Sequence, residues 1–368
     1  MDQQGQNGLL STFREGWRAR RWPAWLMAFS LIGFYLWLYF EDREWFPFPK
    51  LMTQASEAVG LKNRWFLYGF LYCIAMVGGG VYYLRRHGNS RYNRIRIGVN
   101  LFVQILIAFT LPYVMYIFTN KDFYFSYLWP LKIEYLYPSS LQYYPLYIAI
   151  YSGVASLIAA PILALRYGKR FYCSWICGCG GLANTFGDPW RHLTSTSTKS
   201  WKFEQGAVHT IMFVAFLTTA LVGIDFVAGD SMPAFHSSVS WLREVYGLVV
   251  GAILAGVVGV GLYPLLGPRV WCRNFCPMAA MLGLIQKAGR FRIKVKPDMC
   301  ISCGNCTTYC EMGIDVRSYA QSNQSFTRAA CVGCGQCAHV CPRGVLKLEN
   351  HTETQPDKKR TGLNVLNV

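Results

Sequence analysis

Charge is scarce in this chain. Asp, Glu, Lys and Arg make up 15% of its 368 residues, against roughly 25% in an ordinary soluble domain. Acidic residues are scarcer still, 19 against 36 Lys and Arg, which leaves a formal charge of +17. No Walker motif and no G-x-G-x-x-G fingerprint occurs, so nucleotide chemistry has no support. Only six His are present, and no apolar stretch carries two at matching depth, which argues against a bis-His haem. Cysteine is nearly absent from the first 172 residues, which hold Cys73 alone of a total of 14. What abounds instead is apolar and aromatic, 53% and 16% of the chain. That composition excludes intrinsic disorder and points to a lipid environment.

Six stretches are long enough to cross a hydrocarbon core, which takes about 20 apolar residues: 22–40, 65–84, 98–118, 145–165, 208–228 and 246–267. Five contain no charged residue, and the exception is Asp225 in the fifth. With the N-terminus inside, 29 Lys and Arg fall on one face and 7 on the other. The positive-inside rule then predicts cytoplasmic N- and C-termini in a prokaryotic inner membrane and makes the +17 charge a topology label rather than a nucleic-acid signature. Arg20-Arg21 precedes a span too long for a signal-peptide core, so the segment reads as an uncleaved anchor. The outer loop from Thr119 to Tyr144 is crowded with Tyr, Phe and Trp and reads as an interfacial lid, with a docking surface for a redox partner as the sharper alternative.

The pattern C-x2-C-x2-C-x3-C occurs twice, at Cys300, Cys303, Cys306 and Cys310 and at Cys331, Cys334, Cys337 and Cys341. Three thiolates on a tight loop serve one cubane, while the fourth crosses to the other cluster in two-cluster ferredoxins. Cys300, Cys303, Cys306 and Cys341 are therefore assigned to one 4Fe-4S cluster, and Cys310, Cys331, Cys334 and Cys337 to the other. Glu311 follows Cys310 where a Pro commonly stands.

A second repeat, G-x-R-x-aromatic-C-x-x-hydrophobic-C, ends at Cys173 and Cys177 and again at Cys272 and Cys276. Cysteines four apart share one face if helical, and the two pairs together make a four-thiolate site suited to a cluster, zinc or monovalent copper. The alternative is buried thiols that pack as small hydrophobes, or a redox dithiol. Cys179 adds a fifth thiol, and Gly178 stands where the second copy has Pro277.

These paired motifs behind membrane spans, followed by a two-cluster module, resemble the membrane polyferredoxins of the NapH, NosR and CcoG type over roughly residues 145–350. The apolar stretches and the cysteine repeat predict a mainly α protein: a polytopic six-helix transmembrane domain with a C-terminal cytoplasmic 2x(4Fe-4S) ferredoxin domain of α+β character, although six spans with a long aromatic outer loop do not match the resembled family closely. Its segments are a basic N-terminus (1–21), a membrane domain (22–267) with the cytoplasmic loop 166–207, a connector with the second thiol pair (268–295), the ferredoxin domain (296–350) and a polar tail (351–368). The resemblance implies an electron-transfer subunit working between a quinone and a partner reductase, rather than a complete enzyme. The CcoG branch supplies a rival, a copper reductase and oxidase assembly factor, and a cluster-based redox sensor is a third reading.

Asp225 and His209 are the candidates for a quinone or proton site, because ionisable groups in spans are costly and tend to be functional. His236, in the outer loop that follows, is a further candidate for a headgroup contact. Arg292, Lys294, Lys296 and Arg328 suit an acidic ferredoxin-like donor, or else form a solvated positive-inside surface. The small-residue stripe Gly247, Gly251, Ala255 and Gly259 is expected to pack against another span.

Overall fold

The computed structural model describes residues 22–44 and 46–350. The basic segment with Arg14, Arg18, Arg20 and Arg21, and the polar tail 351–368, lie outside the described residues. Among the described residues, six helices are long and apolar enough to cross a membrane: α1 (Trp22–Phe40), α2 (Arg64–His87), α3 (Arg91–Thr119), α4 (Leu146–Tyr167), α5 (Thr198–Ala228) and α6 (Pro233–Val258). Polar residues set several starts. Asn63 Oδ1 accepts the amides of Trp65 and Phe66, while Ser90 and Ser197 cap α3 and α5 in the same manner. Apolar side chains project outward from the helices, with Trp22, Phe118 and Val227 largely exposed, as a lipid-facing surface requires.

Two helices differ from the expected spans. α5 starts ten residues before position 208, because Ser197 caps it early and its added turns carry Glu204, which is buried against Arg273. α6 starts at Pro233, whose fixed φ suits a first turn, and runs through Arg243 and Glu244 before ending at Val258. The remaining residues up to Gly267 turn and form the short helix Tyr263–Leu266 against α1. The small-residue stripe also behaves differently from expectation. Gly247 and Gly251 face open space, and the close approach is at Gly256, where an added Cβ would meet Tyr39 and Tyr35 of α1 within 2.7 and 2.8 Å.

The aromatic loop after α3 is not an interfacial lid. Phe123, Leu128, Trp129, Ile133, Tyr135 and Tyr137 are buried. Trp129 Nε1 donates to Thr219 Oγ1 inside α5, and the Tyr172 hydroxyl, one residue before Cys173, donates to the Ser126 carbonyl. The loop therefore re-enters the bundle, which non-helical backbone can do at membrane depth only when protein surrounds it.

At the thiol-bearing end, short helices Arg170–Cys173, Gly178–Asn184 and Trp271–Phe275 precede α7 (Pro277–Lys287). The C-terminal module follows. Its β1 (Phe291–Val295) pairs antiparallel with β2 (Leu346–Asn350), Phe291 opposite Asn350 and Val295 opposite Leu346. Phe291, Ile293 and Val295 alternate inward along β1. One hydrophobic core holds residues of both halves, from Ala215 and Val222 of α5 to Met312 and Val332 of the module. The module is thus packed onto the helices and is not a tethered appendage.

Candidate metal centres

The two cysteine loops of the module share one backbone design. Ser302 and Gly304 in the first, and Gly333 and Gly335 in the second, take φ between +58° and +80°, the left-handed turns that fold a short loop around a cavity. One pocket is lined by Cys300, Cys303, Cys306 and Cys341. A second is lined by Cys331, Cys334, Cys337 and Cys310. Each loop thus meets the fourth cysteine of the other, the crossed arrangement assigned from spacing. The amides of Ile314 and Val345 approach Cys310 Sγ and Cys341 Sγ, both at 3.4 Å, so the hydrogen bonds to sulfur repeat along with the cysteines.

The paired motifs converge as well. Cys173, Cys177, Cys272 and Cys276 are each no more than 6% exposed and lie in one core cluster. Cys276 is within electrostatic reach of the other three. Neither pair rides one continuous helix. Cys173 closes a short helix, Cys272 lies in a π-helical turn, and Cys177 and Cys276 adopt extended backbone as N-caps of the helices that follow. Ala279 N donates to Cys276 Sγ at 3.4 Å, and the Gly180 amide serves Cys177 at the equivalent offset. Cys179 is half-buried beside Cys177. Among the described residues no group of His, Cys or carboxylates closes tightly enough for a single metal ion. The ferredoxin thiols instead line the walls of a space.

Sequence reading missed the groups that position the first thiol pair. Asn100 and Gln104, one turn apart on α3, donate to the carbonyls of Trp175 and Ile176 inside the Cys173–Cys177 turn. Gln104 stands where α3 passes into a π-helical stretch, Val103–Thr110, a distortion common at functional sites. Gly178 is open to close approach: an added Cβ would stand 2.9, 3.1 and 3.3 Å from Gln104 Oε1, the Tyr72 hydroxyl and the Tyr127 hydroxyl. Tyr127 comes from the re-entrant loop. The visible signal was a polar pair at i, i+4 in an otherwise apolar stretch.

The charge around the thiols tests whether clusters fit. Burial pushes Cys173, Cys272, Cys306 and Cys331 up to about 11 and Cys310 up to about 12. Such thiols stay protonated until a cationic centre draws the proton off. Five buried cations, Arg96, Lys169, Arg191, Arg269 and Arg273, stand among them against three buried carboxylates, Asp188, Glu204 and Glu311. Arg96 Nε and Nη1, Arg191 Nη2 and Arg269 Nε have no protein partner. Buried positive charge in excess of its counterions is costly, and anionic iron-sulfur centres on these thiolates would supply the missing charge. Lys169 lies within reach of Cys173 and Cys331, and Arg191 Nη1 is 3.9 Å from Cys334 Sγ. The residues around the Cys331 loop therefore fit an anionic 4Fe-4S centre.

Asp225 and His209 do not share a site. Both lie on α5, and the 16 residues from 209 to 225 span about 24 Å of helix at 1.5 Å per residue. His209 is exposed. Asp225 pairs instead with His236 of α6, Oδ2 to Nδ1 at 3.0 Å, beside a surface groove lined by Phe235, Ser237 and Trp241. From Glu204, which holds Arg273 of the second thiol motif, to Asp225 is about 31 Å along the same helix.

Comparison with known proteins agrees with the chemistry of these sites. Residues 299–346 match the family model of a 4Fe-4S dicluster domain, and residues 149–194 and 249–296 each match that of a 4Fe-4S binding domain. The chain is similar to the methylamine utilization ferredoxin-type protein MauN of Methylorubrum extorquens, 29% identical over 169 residues, 44% of this chain and 55% of that protein. It is also similar to the putative electron transport protein YccM of Escherichia coli, 25% identical over 178 residues, 47% of this chain and 50% of that one. MauN of Paracoccus denitrificans is 26% identical over 162 residues, 42% of this chain and 54% of the relative. The chain thus spans about half the length of the curated relatives it matches. No solved structure matches.

Proposed function

We propose that this chain, which carries 4Fe-4S ferredoxin-type domains, is a membrane-bound electron carrier that exchanges electrons between a quinone of the lipid phase and partner redox proteins. Cys300, Cys303, Cys306 and Cys341 would hold one 4Fe-4S cluster, Cys310, Cys331, Cys334 and Cys337 a second, and Cys173, Cys177, Cys272 and Cys276 a third centre. When bound, these centres supply one-electron chemistry, and the chain supplies position, burial and hydrogen bonds to sulfur.

The observation that carries the reading is the fixed order of the three cysteine sets. The loop 331–334 is held on the membrane half: Ser174 Oγ donates to the Val332 carbonyl at 2.7 Å, the Tyr92 hydroxyl to Gly333 at 2.8 Å, and Gln286 Nε2 to Cys331 at 3.0 Å. The set built on Cys300, Cys303 and Cys306 faces away, beside Ile301, which is 57% exposed. The docked set therefore lies between an exposed set and the four buried thiols at the membrane boundary. Arg317 and Arg343 line the exposed cavity and suit an acidic ferredoxin-like partner. Arg328 and Lys294 serve the chain itself, with Tyr319 and Glu349. On the membrane side, the Tyr72 and Tyr127 hydroxyls beside Cys179 offer polar contacts for a quinone headgroup. The charge asymmetry of the loops supports the thiol-bearing end as the cytoplasmic one.

Anaerobic purification followed by iron and sulfide counting tests the reading. About twelve irons per chain are expected, four per centre. A count of about eight removes the third centre, and copper bound stoichiometrically at the paired cysteines would favour metal delivery instead. Quinol addition should reduce the centres by EPR, and centres that never respond to quinol would refute the lipid-phase partner.

A further inference from the structure

Glu311 is the position at which the ferredoxin repeat breaks its own pattern, since its counterpart at the offset of 31 is Pro342. Its carboxylate is fully buried. Oε1 accepts from Arg269 Nη2 at 2.8 Å, and Oε2 accepts from Arg191 Nη1 at 2.8 Å. Each guanidinium then touches a different thiol set. Arg269 Nη1 lies 3.6 Å from Cys272 Sγ and 3.5 Å from the Cys173 carbonyl, while Arg191 Nη1 lies 3.9 Å from Cys334 Sγ. Asp188 Oδ1 holds Arg191 Nε from behind at 3.0 Å.

We infer that Glu311 is a positioning residue that joins the docked cluster site to the four-thiol site, locking one arginine onto a sulfur of each so that the two sites share a single buried charge bridge. This rests on the four-thiol centre proposed above. Removing one partner of a fully buried Arg-carboxylate-Arg triad leaves uncompensated positive charge in place. At these two sites that charge would stabilise the reduced state of whatever the thiolates hold. The exposed set has only Pro342 at the equivalent position and lies outside the bridge.

Redox titration of the holoprotein followed by EPR provides the test, with E311Q as the variant. The midpoints of the docked cluster and of the four-thiol centre should both rise, while that of the exposed cluster stays where it was. E311D keeps the charge and should reverse most of the rise. Unmoved midpoints in E311Q overturn the bridge, and so does an equal shift of all three centres, which would mark a general loosening. If E311Q does not assemble, R191K and R269K carry the same test. R191K should move the docked cluster most and the four-thiol centre less, R269K the reverse, and variants that move only the centre they touch, or neither centre, overturn the bridge. A wild-type chain loading about eight irons overturns the four-thiol centre and leaves the docked-cluster arm of the test standing.

Discussion

Gly313 holds φ at +64°, and a Cβ there would stand 2.2 Å from the Ser195 carbonyl and 2.5 Å from Arg273 Nη1. Backbone cannot step aside as the tip of a side chain can. Gly313→Ala should therefore destabilise the docked module by about 2–3 kcal/mol, combining the left-handed penalty with the clash; chemical denaturation followed by cluster absorbance measures it, and a loss below about 0.5 kcal/mol would refute the close approach. Gly313 and its repeat partner Gly344 were visible in the sequence as part of the 31-residue offset. Their different surroundings were not, because a Cβ added at Gly344 would meet nothing within 4 Å. Residue identity reports the conformation a loop needs, whereas what lies across from it comes from another part of the chain. The same holds for Glu311, legible as a departure from pattern but silent about Arg191, 120 positions away.

At the level of elements, the apolar periodicity of helices in lipid is nearly all that a sequence window can detect. It located six helices and blurred their ends, since α5 and α6 begin in turns that carry Glu204 and Arg243 and so fall outside an apolar window. The re-entrant loop was not legible for a related reason: aromatic residues suit a membrane interface and a buried plug equally well, and only tertiary partners such as Thr219 and Tyr172 decide between them. α3 offers a test of how an element positions chemistry. Gln104→Leu removes the donor to the Ile176 carbonyl and leaves that acceptor buried without a partner, at a cost of about 1–3 kcal/mol. The expected result is loss of about four irons from the four-thiol site with about eight retained in the ferredoxin cavities. Full iron content in Gln104→Leu would show that the turn is held by other contacts.

For the whole molecule, the crossed cysteine sets tie distant segments together, and the expectation drawn from spacing can be separated from an uncrossed one by two substitutions. Cys341→Ser should abolish the exposed cluster and spare the docked one, and Cys310→Ser should do the reverse; EPR of each variant distinguishes them, and the opposite pairing would refute the crossing. The docking of the module has a further consequence for how its two cavities can be filled. Val332, Gly333 and Cys331 are bonded to Ser174, Tyr92 and Gln286 along the outer side of their loop, and Arg191 closes on Cys334. Any scaffold that hands over iron and sulfide must reach this loop before those bonds form, whereas the loop around Ile301 stays open afterward. If the inner cavity is loaded as proposed, its cofactor has to enter while the module is still apart from the helices, whereas the outer cavity can be filled before or after docking.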